Sequence, residues 1–150
     1  VKNVMAIAAG IGDGMGLGDN AKAGLVTRGL AEIKRLGSAM GADPQTFSGL
    51  AGMGDLIVTC FSKHSRNRRF GEMIGEGRST EEAEAAMTMV VEGVRTTTSV
   101  RTLAQKYNVE MPITDAVYAI LFEGLDVHQA VRELLARNPK SEDVDVSARA

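Results

Sequence analysis

Residues 20–41 read NAKAGLVTRGLAEIKRLGSAMG, and their spacing decides the fold class. Ala23, Leu25, Val26, Leu30 and Ile33 recur at helical intervals. Asn20 stands where a helix cap is wanted, and Lys34 and Arg35 sit before an expected end at Gly37 or Gly41, where cations suit the helix dipole. The same grammar continues outward. Asp43-Pro44 restarts a short helix expected to reach about Leu50, and Gly52-Met53-Gly54-Asp55 opens the apolar stretch Leu56 to Phe61. A polar segment, 62–69, leads into a helix expected around Phe70 to Ile74. Ser79 and Glu82 have capping-box spacing before an acidic helix. Val94, Val100, Leu103, Ala104 and Tyr107 form the next stripe, Pro112 opens a helix with Val117, Ile120 and Leu121 inward, and Asp126 caps a last one carrying Val127, Ala130, Val131, Leu134 and Leu135. Val4 to Ile11 reads equally as a buried helix or a short strand. Neither a repeat nor a pair of alternating strands is found, so the expectation is an all-α domain of about eight helices over residues 1–140, with 141–150 a loose tail.

Composition bounds the function. The chain has 150 residues, 44% of them apolar, enough for one compact domain or two very small ones. Aromatics at 4% argue against a β-sandwich or barrel. A net charge of -2 disfavours a nucleic-acid binder. Residues 1–75 hold nine Lys and Arg against six acids, and 76–150 eight against thirteen, which fits one anion-facing surface. The single Cys60 excludes a disulfide framework or a Cys-rich zinc site, and His64 and His128 are too isolated from acids for a metal site, so no metal is expected. No apolar run approaches the ~18 residues of a membrane span, and Val4 to Ile11 lacks the flanks of a signal peptide. The expected setting is cytoplasmic and reducing, and a start at Val1 suggests a piece of something longer.

Five places invite chemistry. Glycines at 10, 12, 14, 16 and 18 resemble a nucleotide loop, but the third position of G-x-G-x-x-G is Met15, Leu17, Asp19 or Ala21, and no Walker pattern occurs. Close helix packing is the favoured reading, with approach of a ligand as the alternative. Lys2, before an apolar segment, is either a solvated chain-end lysine or a proton donor and acceptor. Asp55, between Gly54 and an apolar run, is either a cap or the partner of a lysine. Segment 62–69 carries Lys63, Arg66, Arg68 and Arg69 with Ser65 and Asn67 interleaved, ahead of a helix start; it is either a basic loop or an anion pocket suited to phosphate. A third reading is an RNA contact, for which only Phe61 and Phe70 flank the patch without a stacking platform. Glu92, near this patch, is either part of a connector or an acceptor for ribose hydroxyls.

Together these pieces resemble the C-terminal half of the bacterial NAD(P)-dependent glycerol-3-phosphate dehydrogenase family. The motifs are Lys2-Asn3-Val4, Ala6 to Gly10, Gly16-Leu17-Gly18-Asp19-Asn20, Thr46 to Gly52, Gly54-Asp55-Leu56, Thr59-Cys60, Ser65-Arg66-Asn67 and Val91-Glu92-Gly93. The resemblance implies a multi-helix substrate domain of the 6-phosphogluconate-dehydrogenase C-terminal type, without its N-terminal Rossmann domain. It implies interconversion of glycerol 3-phosphate and dihydroxyacetone phosphate, for glycerophospholipid biosynthesis, with NAD or NADP bound mainly by that other domain. By resemblance Lys2 is catalytic; Lys2, Asn3, Asp55, Thr59, Ser65, Arg66 and Asn67 bind substrate; and Arg66, Val90 and Glu92 reach the cofactor. The expected partner is a small phosphorylated substrate, with neither nucleic acid nor membrane insertion, and a homodimer is compatible. The isolated chain is expected to be inactive. The competing reading is a non-catalytic helical interaction or dimerisation module, which would leave Lys2, Asp55 and Arg66 far apart; the enzyme reading draws them to one pocket. A related β-hydroxyacid dehydrogenase domain ranks lower, having no use for a phosphate group at Ser65-Arg66-Asn67.

Overall fold

The computed structural model describes residues 1–43, 45 and 50–137. Among them eight α-helices follow one another without a strand: α1 (Lys2–Gly14), α2 (Asp19–Ala39), α3 (Asp55–Phe61), α4 (Arg66–Gly75), α5 (Thr80–Ala86), α6 (Glu92–Lys106), α7 (Pro112–Phe122) and α8 (Val127–Ala136). A π-helical turn, Leu50–Gly54, runs straight into α3. Most of the expected helix from Pro44, and the tail 141–150, lie outside the described residues; at its start the Asp43 carboxylate accepts the backbone N–H of Gln45 at 3.0 Å.

The ambiguous segment Val4 to Ile11 is helical and forms the middle of α1. Its residues are apolar on every side, which suits a helix enclosed by others. On one side Val4, Ile7 and Ile11 pack with Phe70, Ile74, Val100, Val117 and Leu121. On the other, Met5 and Ala9 join Val26, Leu30, Leu56, Cys60 and Ile113.

The most extensive helix contact is between α1 and α4, and there the glycine run finds its use. A Cβ at Gly10 would stand 1.9 Å from the Arg68 carbonyl oxygen, and one at Gly14 2.1 Å from that of Glu72. Reciprocally, a Cβ at Gly71 would meet the Ile7 oxygen at 2.1 Å and one at Gly75 the Ile11 oxygen at 2.2 Å. Two Gly-x-x-x-Gly stripes thus let the backbones touch, with no room for a methyl group. Packing, not a nucleotide loop, explains Gly10 and Gly14.

Three boundaries differ from the sequence reading. α2 is preceded by Gly18 at φ 87°, a left-handed turn that glycine adopts freely, so Asn20 falls inside the first turn and does not cap it. α4 begins at Arg66, four residues before Phe70, because Ser65 Oγ accepts the N–H of Arg68 at 3.2 Å and draws the basic segment into a helical turn. α6 begins at Glu92. The Ser79–Glu82 capping box and the Asp126 cap, which accepts the Gln129 N–H at 3.1 Å, are present.

α7 is capped from a distance. Its N1 residue is Pro112, and the carboxylate of Glu32 on α2 accepts the N–H of Ile113 (2.5 Å), the N–H of Thr114 (3.3 Å) and the Thr114 hydroxyl (3.2 Å). Glu32 is only 2% exposed. Burial pushes its carboxyl up to about 7, against the three hydrogen bonds that favour the ionised form.

Two outcomes follow for stability. Gly71→Ala drives a methyl into the Ile7 carbonyl and is expected to cost about 3 kcal/mol or more, whereas Gly24→Ala on α2, with nothing within 4 Å, adds about 0.5–1 kcal/mol. Urea denaturation of both variants checks this; equal effects would refute the backbone contact. Glu32, with its folded pKa above its unfolded one, contributes stability that is full below about pH 4.5 and fades as pH rises towards 7. Glu32→Gln removes that dependence, so the advantage of wild type over the variant shrinks by up to about 3 kcal/mol between pH 4.5 and 7.5. A constant gap would show that the carboxyl titrates normally.

Candidate functional site

α1, α4 and α6 begin at the same end of the molecule, and Gly93 is the junction. Its N–H donates to Asn67 Oδ1 at 2.8 Å, and a Cβ on it would stand 3.1 Å from the Asn3 carbonyl oxygen and 2.7 Å from Ile7 Cδ1. The Thr97 hydroxyl donates to the Gly93 carbonyl at 2.6 Å, fixing the first turn of α6. Three helix starts therefore direct the positive ends of their dipoles to one region, which favours an anion.

The Lys2 ammonium stands at this end and donates to Asp55 Oδ2 at 2.8 Å. Asp55 is in the first turn of α3 with Gly54 in the cap position, and its side chain caps nothing there; the partner reading of this carboxylate is the one the fold adopts. Both side chains are 52% exposed, so the pair adds no more than ~1 kcal/mol to stability. Its consequence is orientation: one ammonium proton is committed to Asp55 and two remain for other acceptors. Thr59 donates its hydroxyl to the Asp55 carbonyl at 2.8 Å within α3, leaving its oxygen as an acceptor.

Segment 65–67 divides its work. Ser65 caps α4 by accepting and keeps its own proton to donate. Asn67 spends its carbonyl on α6 and retains its amide donors. Arg66 is on the surface, with Nη1 2.8 Å from Met89 Sδ. Met89 is followed in the chain by Val90, 76% exposed, and then by Val91 and Glu92, the latter in the first turn of α6. Arg68 departs from the basic-loop reading. It is buried and held by Asp13 and Glu72, so it is no free anion ligand.

The sequence residues converge in part. Lys2 meets Asp55, and Asn67 meets the start of α6, whereas a non-catalytic module would leave Lys2, Asp55 and Arg66 far apart. Arg66 contacts Met89 rather than the pair, so only the Lys2–Asp55 part of the expected convergence is found. Two cavities among the described residues lie elsewhere: an apolar one of about 390 Å³ between α1, α2, α7 and α8, and one of about 360 Å³ between Arg78–Glu81 and the α7–α8 turn. Residues 46–49 of the quoted motif lie outside the described residues. The sequence reading missed Gly93 as a junction, although a glycine in the first turn of a helix is a signal for close approach. Nothing in the sequence pointed to Met89. Cys60, on the inner face of α3, is buried, and burial raises its thiol to about 12, which keeps it protonated and a poor nucleophile. Among the described residues no cluster of His, Cys, Asp or Glu could hold a metal ion, and no helix is long and apolar enough to cross a membrane.

Comparison with known proteins points one way. Residues 1–132 match the family described as NAD-dependent glycerol-3-phosphate dehydrogenase C-terminus. Glycerol-3-phosphate dehydrogenase (NAD(P)+) 2 of Salinibacter ruber is 64% identical over 141 residues, which cover 94% of this chain and 41% of that protein. The corresponding Macrococcus caseolyticus protein is 62% identical over 142 residues, 95% of this chain and 43% of its own. A crystal structure of glycerol-3-phosphate dehydrogenase (gpsA) from Coxiella burnetii superposes with a TM-score of 0.88 at 53% identity, covering 91% of this chain and 42% of that one. The chain thus spans about two fifths of the length of the relatives it matches.

Asn67→Ala leaves the Gly93 N–H without its acceptor and is expected to cost about 1 kcal/mol. Asn67→Asp, which keeps an oxygen at the start of α6, costs less than half as much in the same denaturation experiment. Equal losses would mean that the amide, not the cap, is what matters.

Proposed function

Because the chain belongs to the NAD-dependent glycerol-3-phosphate dehydrogenase C-terminus family, we propose that it is the substrate-binding half of such an enzyme. It works beside a Rossmann domain in interconverting glycerol 3-phosphate and dihydroxyacetone phosphate. The observation that carries this reading is the Lys2–Asp55 pair, exposed at the end where α1, α4 and α6 begin.

The phosphate of the substrate is a dianion. Its place is against the helix starts, with the Ser65 hydroxyl, the Arg66 guanidinium and the Asn67 amide as donors. The C2 oxygen then falls to Lys2. In the reducing direction charge develops on this oxygen as C2 becomes tetrahedral, and the Lys2 ammonium stabilises it and transfers a proton to it; in the oxidising direction the amine takes the hydroxyl proton. Asp55 holds Nζ in place and balances its charge. Asn3 and Thr59, flanking the pair, complete the substrate contacts.

NAD or NADP, when bound, supplies or accepts the hydride at C2. The edge made by Arg66, Val90 and Glu92 fits such a group: an exposed apolar surface for a flat ring, a guanidinium for phosphate and a carboxylate for ribose hydroxyls. The same reading places the complete protein in the cytoplasm, supplying the glycerol backbone of phospholipids, and is compatible with a homodimer.

The test joins this chain to the N-terminal remainder of the Salinibacter ruber relative and follows NAD(P)H absorbance with dihydroxyacetone phosphate. The fusion is expected to turn over and the isolated chain is not. Lys2→Ala in the fusion lowers kcat by about 10²–10⁴-fold. Undiminished activity in that variant would move the proton chemistry off Lys2. A folded fusion without turnover with either cofactor would return the chain to the interaction-module reading.

A further inference from the structure

We infer that Arg68 is a positioning residue for the phosphate end of the site: a buried guanidinium that fixes the turn 62–65 and so the disposition of Ser65, Arg66 and Asn67. The inference rests on the function proposed above for what those residues bind, but its geometry stands alone.

The Arg68 side chain reaches three elements. Nε donates to the Ser62 carbonyl at the end of α3 (2.9 Å), and Nη1 donates to Asp13 Oδ2 in the last turn of α1 and lies 2.8 Å from Glu72 Oε2 one turn further along α4. Its own backbone N–H donates to Ser65 Oγ. One residue thus grips both ends of the turn, the side chain at Ser62 and the amide at Ser65. Asp13 is kept in place by a second buried cation, Lys22, whose Nζ stands 2.8 Å from the same Oδ2 and 4.3 Å from the centre of the Phe61 ring. The set is neutral, with two cations and two carboxylates, and both cations are at least nine-tenths buried.

Charge balance alone does not require arginine. An ammonium at position 68 could pair with Asp13 and Glu72, but its single nitrogen cannot also replace the fixed fork that donates to Ser62. Arg68→Lys therefore separates the two roles: it keeps the ion pairs and releases the turn.

In the fusion protein, Arg68→Lys is expected to raise KM for dihydroxyacetone phosphate at least about tenfold while kcat stays within about threefold, because Lys2 and Asp55 are held by other contacts. Its Tm stays within about 5 °C of wild type. Hydrogen exchange at the amides of residue 68 and Gly93, which report the Ser65 and Asn67 contacts, speeds at least about tenfold while the amide of Ile11 is unchanged. Wild-type KM with wild-type exchange would overturn the inference and reduce Arg68 to a balancing charge. A joint collapse of Tm, kcat and KM would overturn it too, as a general structural role. If the wild-type fusion has no turnover, the functional reading fails, and the two amides in the isolated chain still decide for or against the clamp.

Discussion

α1 and α4 meet backbone to backbone, and most of what the molecule presents depends on that contact. A side-chain interface can adjust by changing rotamers, but carbonyl oxygens facing glycine Cα atoms leave one register. α1 carries Lys2 at one end and Asp13 at the other, and α4 carries Arg66 and Asn67 in its first turn. The register of the glycine stripes is therefore also the register of the site. Because the middle of α1, Val4 to Ile11, is apolar on all sides, the remaining helices assemble around it and inherit the same frame.

The candidate site shows a division between what is fixed and what is offered. Gly93 and Asn67 spend a hydrogen bond on joining α4 to α6, Thr97 spends its own within α6, and Arg68 and Asp13 spend theirs below the surface. Lys2, Asp55, Ser65 and Arg66 keep donors or acceptors uncommitted and half-exposed or exposed. A salt bridge as open as Lys2–Asp55 adds little to folding, so its value lies in aiming an ammonium. Cys60, on the inner face of α3, stays apart from this group, buried and with its thiol raised to about 12.

Much of this was legible in the sequence because it follows from local rules. The stripes of α2, α7 and α8, the Ser79–Glu82 box and the Asp126 cap need only neighbours three or four residues away. Lys2, Asp55 and Ser65-Arg66-Asn67 were singled out through resemblance, since residue types alone left each with a bland alternative. What stayed hidden depends on distant partners. Gly18 took the place of Asn20 because the chain turns through a left-handed conformation there. Arg68 looked like its neighbours Arg66 and Arg69 until Asp13, 55 residues earlier, claimed it. Glu32 gave no sign at all, being one acidic residue on an otherwise ordinary amphipathic helix.

Glu32 also bears on the order in which the chain folds. The start of α7 is completed by a carboxylate 81 residues upstream, so its first turn lacks an acceptor until α2 has docked on α1. Closing so long a loop is slow relative to forming a helix. α7, and α8 which packs on it, are thus the natural last arrivals, settling on a nucleus already made by α1 and α4. A φ-value near zero for Glu32→Gln, beside high values for substitutions at the α1–α4 contact, is the kinetic signature of that sequence.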